Sequence, residues 1–239
     1  MKRESHPFRV AARILGIGLI FVAGITLAAS RYRDLRRIEP IHGDPAAGAP
    51  KAAVCFACHG ANGAPIAPIF PRLAGQRADY LYHRMVSFRH GSAQDPYYGK
   101  SPMTPLAANL TDKDMRDLAA YFAQQRPEAA SDVPTLPTAQ EGESLFLHGD
   151  PARGIPPCQA CHGPDANGPP MRTGQYAAYP SLRAQSGPYL VARLTSFRDG
   201  LPTDTSNAFI MAGVAHTLDD PAIQALAAYL SSLTPTKAP

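Results

Sequence analysis

Apolar residues recur at helical spacing in two pairs of segments. Leu81, Met85 and Phe88 share one face of a stretch ending at Gly91, and Leu190, Leu194 and Phe197 share one face of a stretch ending at Gly200. Met115, Leu118, Ala119 and Phe122 follow Thr111 with the same periodicity, and Ile223, Leu226, Ala227 and Leu230 follow Asp220-Pro221. Asp44-Pro45 and Asp150-Pro151 each set a capping Asp before a Pro suited to a first helical position. No alternating apolar–polar run of strand length occurs, so the pattern predicts an all-α chain. One further apolar run differs in kind. Val10 to Ser30 is 21 residues long with the single charge Arg13. As a helix it spans about 31 Å, close to the hydrocarbon thickness of a bilayer.

The paired segments belong to an internal repeat. FPRLAGQRADYLYHRMVSFRHG at 70–91 aligns with YPSLRAQSGPYLVARLTSFRDG at 179–200, with ten identities that include Pro71, Gln76, Tyr80, Arg84 and Phe88. GDPA at 43–46 matches GDPA at 149–152, Asn62-Gly63 matches Asn167-Gly168, and LAAYF at 118–122 matches LAAYL at 226–230. The repeat predicts two related domains, at 40–127 and 140–239, joined by a Pro-containing linker at 128–139 and preceded by a separate segment at 1–39. Each domain has three short helices and long loops, and Pro makes up 25 of 239 residues. A unit of about 90 residues built this way has a thin apolar core, so a non-protein group is expected at its centre.

Charge divides the chain in the same places. Residues 1–39 hold eight Lys/Arg against three Asp/Glu, and residues 40–239 hold fifteen against sixteen. The bulk of the protein lacks the basic surface of a nucleic-acid binder, so no nucleic-acid partner is expected. The apolar run follows Lys2, Arg3 and Arg9 and precedes Arg31, Arg33, Arg36 and Arg37, with Tyr32 at the junction. Ala28-Ala29-Ser30 offers a cleavage-like site. The basic cluster RYRDLRR directly behind it favours a retained single membrane helix.

The four cysteines occur only as Cys55-Phe56-Ala57-Cys58-His59 and Cys158-Gln159-Ala160-Cys161-His162. C-x-x-C-H is the attachment signature of c-type haem. Two thiols three residues apart on one helical turn reach the two vinyl groups of one macrocycle, and the following His faces the iron. A shared zinc site would leave both His residues without a purpose. A redox dithiol has no use for His at that place. Two disulfides would not explain the spacing. The chain is therefore expected to carry two covalent haem c groups, through Cys55 and Cys58 with His59, and through Cys158 and Cys161 with His162. Among six Met, Met85 and Met115 align with the apolar Leu194 and Ile223, and Met171 lies beside its own motif. Met103 and Met211 align with each other in loops ahead of the last helix of each repeat, which makes them the expected sixth iron ligands. The repeated Arg84/Arg193 and Arg89/Arg198 fit solvated helix faces better than contacts to haem propionates.

The motifs CFACHGANG, FPRLAGQRADYL and LTDKDMRDLAAYFA in the first half, and CQACHGPDANGPP and LAAYLSSL in the second, resemble the two-haem class I cytochromes c of the cytochrome c4 type. The resemblance covers about residues 40–234. It implies a tandem pair of all-α cytochrome c domains with their haems close together. It also implies that the carbonyl of Pro71 accepts a hydrogen bond from the ring N–H of His59, and that of Pro180 one from His162. The second copy departs from the pattern there, with Arg183-Ala184 in place of Ala74-Gly75.

Iron held by His and Met has no vacant position and needs little reorganisation between its redox states. The expected function is thus one-electron relay without a small-molecule substrate. The expected setting is a carrier tethered to the bacterial inner membrane, with its haem domains on the periplasmic side. It would exchange electrons with redox complexes such as a quinol–cytochrome c reductase and a haem-copper oxidase. A soluble periplasmic carrier, a fixed subunit of a terminal oxidase or dehydrogenase, and a two-haem peroxidase are the alternatives. A matching Met in both halves speaks against the peroxidase.

Overall fold

Helix α1 (Pro45–Gly48) starts where Asp44 accepts from the N–H of Ala46 through its side chain, with Pro45 at the first helical position. It runs through a 3-10 segment, Ala49–Cys55, into α2 (Phe56–His59). Then come α3 (Ala78–His90), α4 (Met103–Ala108) and α5 (Asp112–Gln124). The second half contains α6 (Thr138–His148), α7 (Gln159–His162), α8 (Gly187–Arg198), α9 (Ser206–Ala215) and α10 (Asp220–Ser232). The computed structural model describes residues 32–91, 95–127, 138–171, 173–202 and 204–236. Asp34 to Pro239 forms a single compact unit. There is no β-sheet among the described residues, as the periodicity predicts.

Local chemistry sets the helix ends. Thr111 and Asp114 form a reciprocal capping box at the start of α5. At α10 the cap is Asp219, which accepts from the N–H of Ala222, and Asp220 is the first helical residue, pairing instead with Arg198. In each half the first and last helices cross at a glycine. A Cβ on Gly48 would lie 2.2 Å from the carbonyl oxygen of Asp117, and one on Gly142 would lie 2.0 Å from that of Ala225. Tyr121 and Tyr229 flank the two crossings in the same way.

That equivalence corrects the repeat. The partner of α1 is α6, which begins at Thr138 within the span expected to be linker. Asp150-Pro151 opens only a 3-10 turn, Pro151–Arg153. An Asp-Pro cap can start any helical turn and carries no information on how far the turn continues. A second match also shifts. The carbonyl of Gly63 accepts from Leu73 and Ala74, whereas the carbonyl accepting from Leu182 and Arg183 is that of Ala166, not Gly168. Ala166 takes up the same left-handed backbone as Gly63.

The second half has one continuous core around Phe146, Ile155, Leu190, Ile223, Leu226 and Leu230. The first half has two smaller clusters, one around Leu81, Leu118 and Phe122 and one around Val86 and Met115. The run Val10–Ser30, expected to be a membrane helix, lies outside the described residues. Among those described, no helix is long and apolar enough to cross a membrane.

Candidate haem sites

The two C-x-x-C-H motifs fold alike. Cys55 closes the 3-10 segment and caps α2, which carries Cys58 and His59. Cys158 caps α7, which carries Cys161 and His162. One helical turn therefore puts both thiols of a motif on one side, with the imidazole next to the second. Gly60 and Gly163 end these turns at φ of 72° and 76°. A Cβ at Gly60 would lie 1.9 Å from the carbonyl oxygen of Ala64, so both the backbone conformation and the close approach require glycine there.

The four cysteines are free thiols. Burial pushes the Cys55 and Cys161 thiols up and that of Cys158 up to about 11. A redox C-x-x-C pair shows the opposite, a stabilised thiolate. Among the described residues no group of three or more His, Cys, Asp or Glu side chains is placed to hold a metal ion, so the two motifs do not converge on one site.

Both imidazoles are oriented from behind. His59 is buried, and its Nδ1 lies 2.9 Å from the carbonyl oxygen of Pro71. His162 Nδ1 lies 3.1 Å from that of Pro180. A carbonyl can only accept, so Nδ1 carries the proton and Nε2 is left with a lone pair, the tautomer of a metal ligand. Burial lowers both imidazole pKa values, against the carbonyl bonds that raise them, and the positive charge of Arg77 lowers that of His162 further. The donor set of each half, two thiols and a neutral imidazole with a free Nε2, fits a covalently attached haem.

The carbonyl partners come from one loop design used twice. Gly75, at φ 69°, donates its N–H to Phe122 O at 3.0 Å, and Ala184, at φ 53°, donates to Leu230 O at 2.9 Å. Alanine thus occupies the left-handed position that glycine holds in the first copy, and the Pro180 loop keeps its shape despite the Arg183-Ala184 departure.

The two methionines are on helices rather than in loops. Met103 is the first residue of α4, and Met211 lies within α9, packed against the second core. Both are half-buried. The Met103 helix holds too few turns to show a face, and the Met211 helix is almost uniformly apolar after Asn207, so neither displays a helical period in the sequence. Met115 is fully buried in the core, Met85 packs beside it, and Met171 is exposed.

Arg84 and Arg193 correct the expectation of a solvated face, whereas Arg89 and Arg198 pair with the exposed carboxylates of Asp112 and Asp220. Arg193 is buried, with its guanidinium 4.8 Å from the Tyr97 ring centroid and 4.4 Å from that of Phe197. Arg84 is half-buried, 4.9 Å from the Phe88 centroid, and donates to the Tyr98 hydroxyl at 3.2 Å. Tyr98 in turn donates to Asp204 of the second half at 2.9 Å. Sequence reasoning passed over Gln76, Gln185 and Arg77, which reach across from one half to the other. The visible signal was the identity of Gln76 and Gln185 in the repeat.

The "Cytochrome c" family model matches residues 46–126 and again 139–234. Cytochrome c4 of Azotobacter vinelandii is 40% identical over 195 residues, covering 80% of this chain and 90% of the relative. The thiosulfate dehydrogenase electron acceptor of Thiomonas intermedia is 36% identical over 197 residues, covering 80% and 85%. Among solved structures, reduced recombinant cytochrome c4 from Pseudomonas stutzeri superposes with a TM-score of 0.69 at 36% identity, over 80% of this chain and all of that one.

Proposed function

The chain belongs to the cytochrome c family as a two-domain protein of the cytochrome c4 type, and on that basis we propose how its residues serve an electron carrier. Its cofactors are two covalently bound haem c groups, and its function is electron transfer by a dihaem cytochrome, not enzymatic turnover. Cys55 and Cys58 attach the first haem and Cys158 and Cys161 the second. His59 with Met103, and His162 with Met211, would hold the two haem irons. Haem iron supplies a one-electron couple whose coordination is the same in both redox states.

The protein's part is positional. The Pro71 and Pro180 carbonyls hold the imidazole rings in the ligating tautomer and donate electron density through the ring N–H. The thioethers of Met103 and Met211 favour the ferrous form. The observation that carries the reading is the matched pair of His Nδ1 contacts to proline carbonyls, at 2.9 and 3.1 Å.

Attachment of haem to C-x-x-C-H takes place outside the cytoplasm, so we place residues 40–239 on the periplasmic side. Val10–Ser30, with basic residues on both flanks, supports a retained anchor in the inner membrane. The partners are redox complexes, with a quinol–cytochrome c reductase as donor and a haem-copper oxidase as acceptor. The name of the Thiomonas relative favours one other donor class, a thiosulfate dehydrogenase, for that protein and by extension for this one.

Replacing one methionine at a time tests the ligation. Met103→His or Met211→His lowers the potential of one haem and leaves the other nearly unchanged in a redox titration. Met85→Leu and Met115→Leu leave both unchanged. Oxidised wild-type protein without a red-edge methionine–iron charge-transfer band would refute the assignment for both haems.

A further inference from the structure

We propose that Gln76 and Gln185 are reciprocal positioning residues, each tuning the potential of the haem held by the opposite half. The proposal rests on the ligation of haem by His59 and His162. The Pro71–Arg72 peptide is held at both ends. Its carbonyl accepts from His59 Nδ1, and its N–H donates to Gln185 Oε1 at 2.7 Å. The same carboxamide donates from Nε2 to the carbonyl of Arg72 at 3.1 Å, closing a two-bond clamp on one residue. The mirror arrangement holds the Pro180–Ser181 peptide. Its carbonyl accepts from His162 Nδ1, its N–H donates to Gln76 Oε1 at 2.9 Å, and Gln76 Nε2 donates to Ser181 O at 2.8 Å. Both glutamines are buried, and so are Arg72 and Ser181.

Each carboxamide is itself fixed. Gln76 Oε1 also accepts from its neighbour Arg77 N–H at 2.9 Å, and Gln185 Oε1 from Ser186 N–H at 3.0 Å. Each glutamine hydrogen-bonds the peptide behind the imidazole, so its influence passes through that peptide group. An acceptor on a peptide N–H polarises the conjugated carbonyl and makes its oxygen a stronger acceptor. A stronger acceptor on His Nδ1–H gives the ring more imidazolate character, which favours ferric iron. The clamps therefore lower both potentials, and each acts across the interface.

Gln185→Met and Gln76→Met keep side-chain length and remove both hydrogen bonds. In a redox titration of the dihaem protein, Gln185→Met is expected to raise the first haem's ferrous-to-ferric ratio at fixed poise by about threefold, leaving the second haem in place. Gln76→Met does the reverse. Hydrogen exchange of the ring N–H, followed by NMR in the ferrous state, gives a second readout. It should speed up for His59 only in the Gln185 variant and for His162 only in the Gln76 variant. Gln185→Glu restores an acceptor for Arg72 N–H and should return His59 exchange toward wild type, which a mere packing loss would not do. Shifts of the haem on the mutated half, equal shifts of both haems, or no shift with two intact His–Met haems would each overturn the proposal. Wild-type protein without two His–Met spectra would instead overturn the ligation beneath it.

Discussion

Arg77 belongs by sequence to the first half but works on the second. It is buried, and its guanidinium donates to Pro169 O at 2.7 Å and to Met171 O at 3.1 Å. The backbone of Gly168 lies so close that a Cβ there would be 2.5 Å from the guanidinium. The positive charge already disfavours a proton on His162, and by the same electrostatics it disfavours oxidation of an iron bound to that ring. The corresponding position of the second half is Ser186, which is uncharged and donates to Pro68 O. The two haems are therefore not equivalent. Arg77→Met should lower the potential of the second haem, changing its ferrous-to-ferric ratio by about tenfold, and barely move the first. Spectroelectrochemistry that resolves the two couples checks this, and equal movement of both would refute it. The residue scale also shows what the repeat could not say. Pairing Gln76 with Gln185 was visible as an identity, whereas the partners of each lie 105 to 113 residues away and follow no sequence rule.

Among the elements, the crossing of α1 and α5 centres on one buried carboxylate. Asp117 is buried and accepts from Lys113 and Lys51 at 2.8 Å each and from the N–H of Asp44 at 3.0 Å. Its counterpart in the second half is Ala225, so the α6–α10 crossing has no such fastening. Hydrogen bonds from Lys113, Lys51 and the Asp44 backbone hold the Asp117 carboxyl well below the usual carboxylate range. A depressed folded pKa stabilises the protein above the ordinary carboxylate pKa, and that stability is lost as pH falls through the folded value. Asp117→Asn should therefore lower the melting temperature at neutral pH, and the gap to wild type should close as pH falls well below 4. Thermal melts across acidic pH test the trend; a gap that widens on acidification would disprove it. The helices at 78–90, 112–124, 187–198 and 220–232 were legible because each is long enough to display an apolar face. α6 was not, because Leu145, Phe146 and Leu147 bunch at one end of it. The piece carrying Met103 is too short to show a period, and the one carrying Met211 is almost uniformly apolar after Asn207 and so has no polar face to set one off. The C-x-x-C-H turns were legible for the opposite reason, since their chemistry dictates their spacing and needs no packing context.

At the level of the whole molecule, the sequence points to a chain moored at its N-terminus. In such a chain the folded unit, which starts at Asp34, would begin close behind the apolar run. Counted along the sequence, Arg31 to His42 offers twelve residues of lead between Ser30 and the first domain. Leu35 is buried, and its N–H donates to Ser206 Oγ at the start of α9 at 2.9 Å. Leu35 therefore limits the lead beyond Ser30 to no more than residues 31–34, at most about 14 Å when extended. Leu35 thus ties the start of the folded unit to the second half, at the helix that bears Met211. With Val10–Ser30 retained in the membrane, so short a lead confines electron exchange to partners at the same membrane surface. A cleaved chain would instead diffuse freely. N-terminal sequencing of mature protein, with carbonate washing of membranes, distinguishes the two. The expected result is an intact N-terminus that stays with the washed membranes. A mature chain beginning near Arg31 and recovered in the wash would replace the tethered carrier with a diffusing one. In a tethered carrier, eight Gly/Ser residues inserted after Arg31 should leave both potentials unchanged while altering the rate of exchange with membrane partners, because only reach is changed.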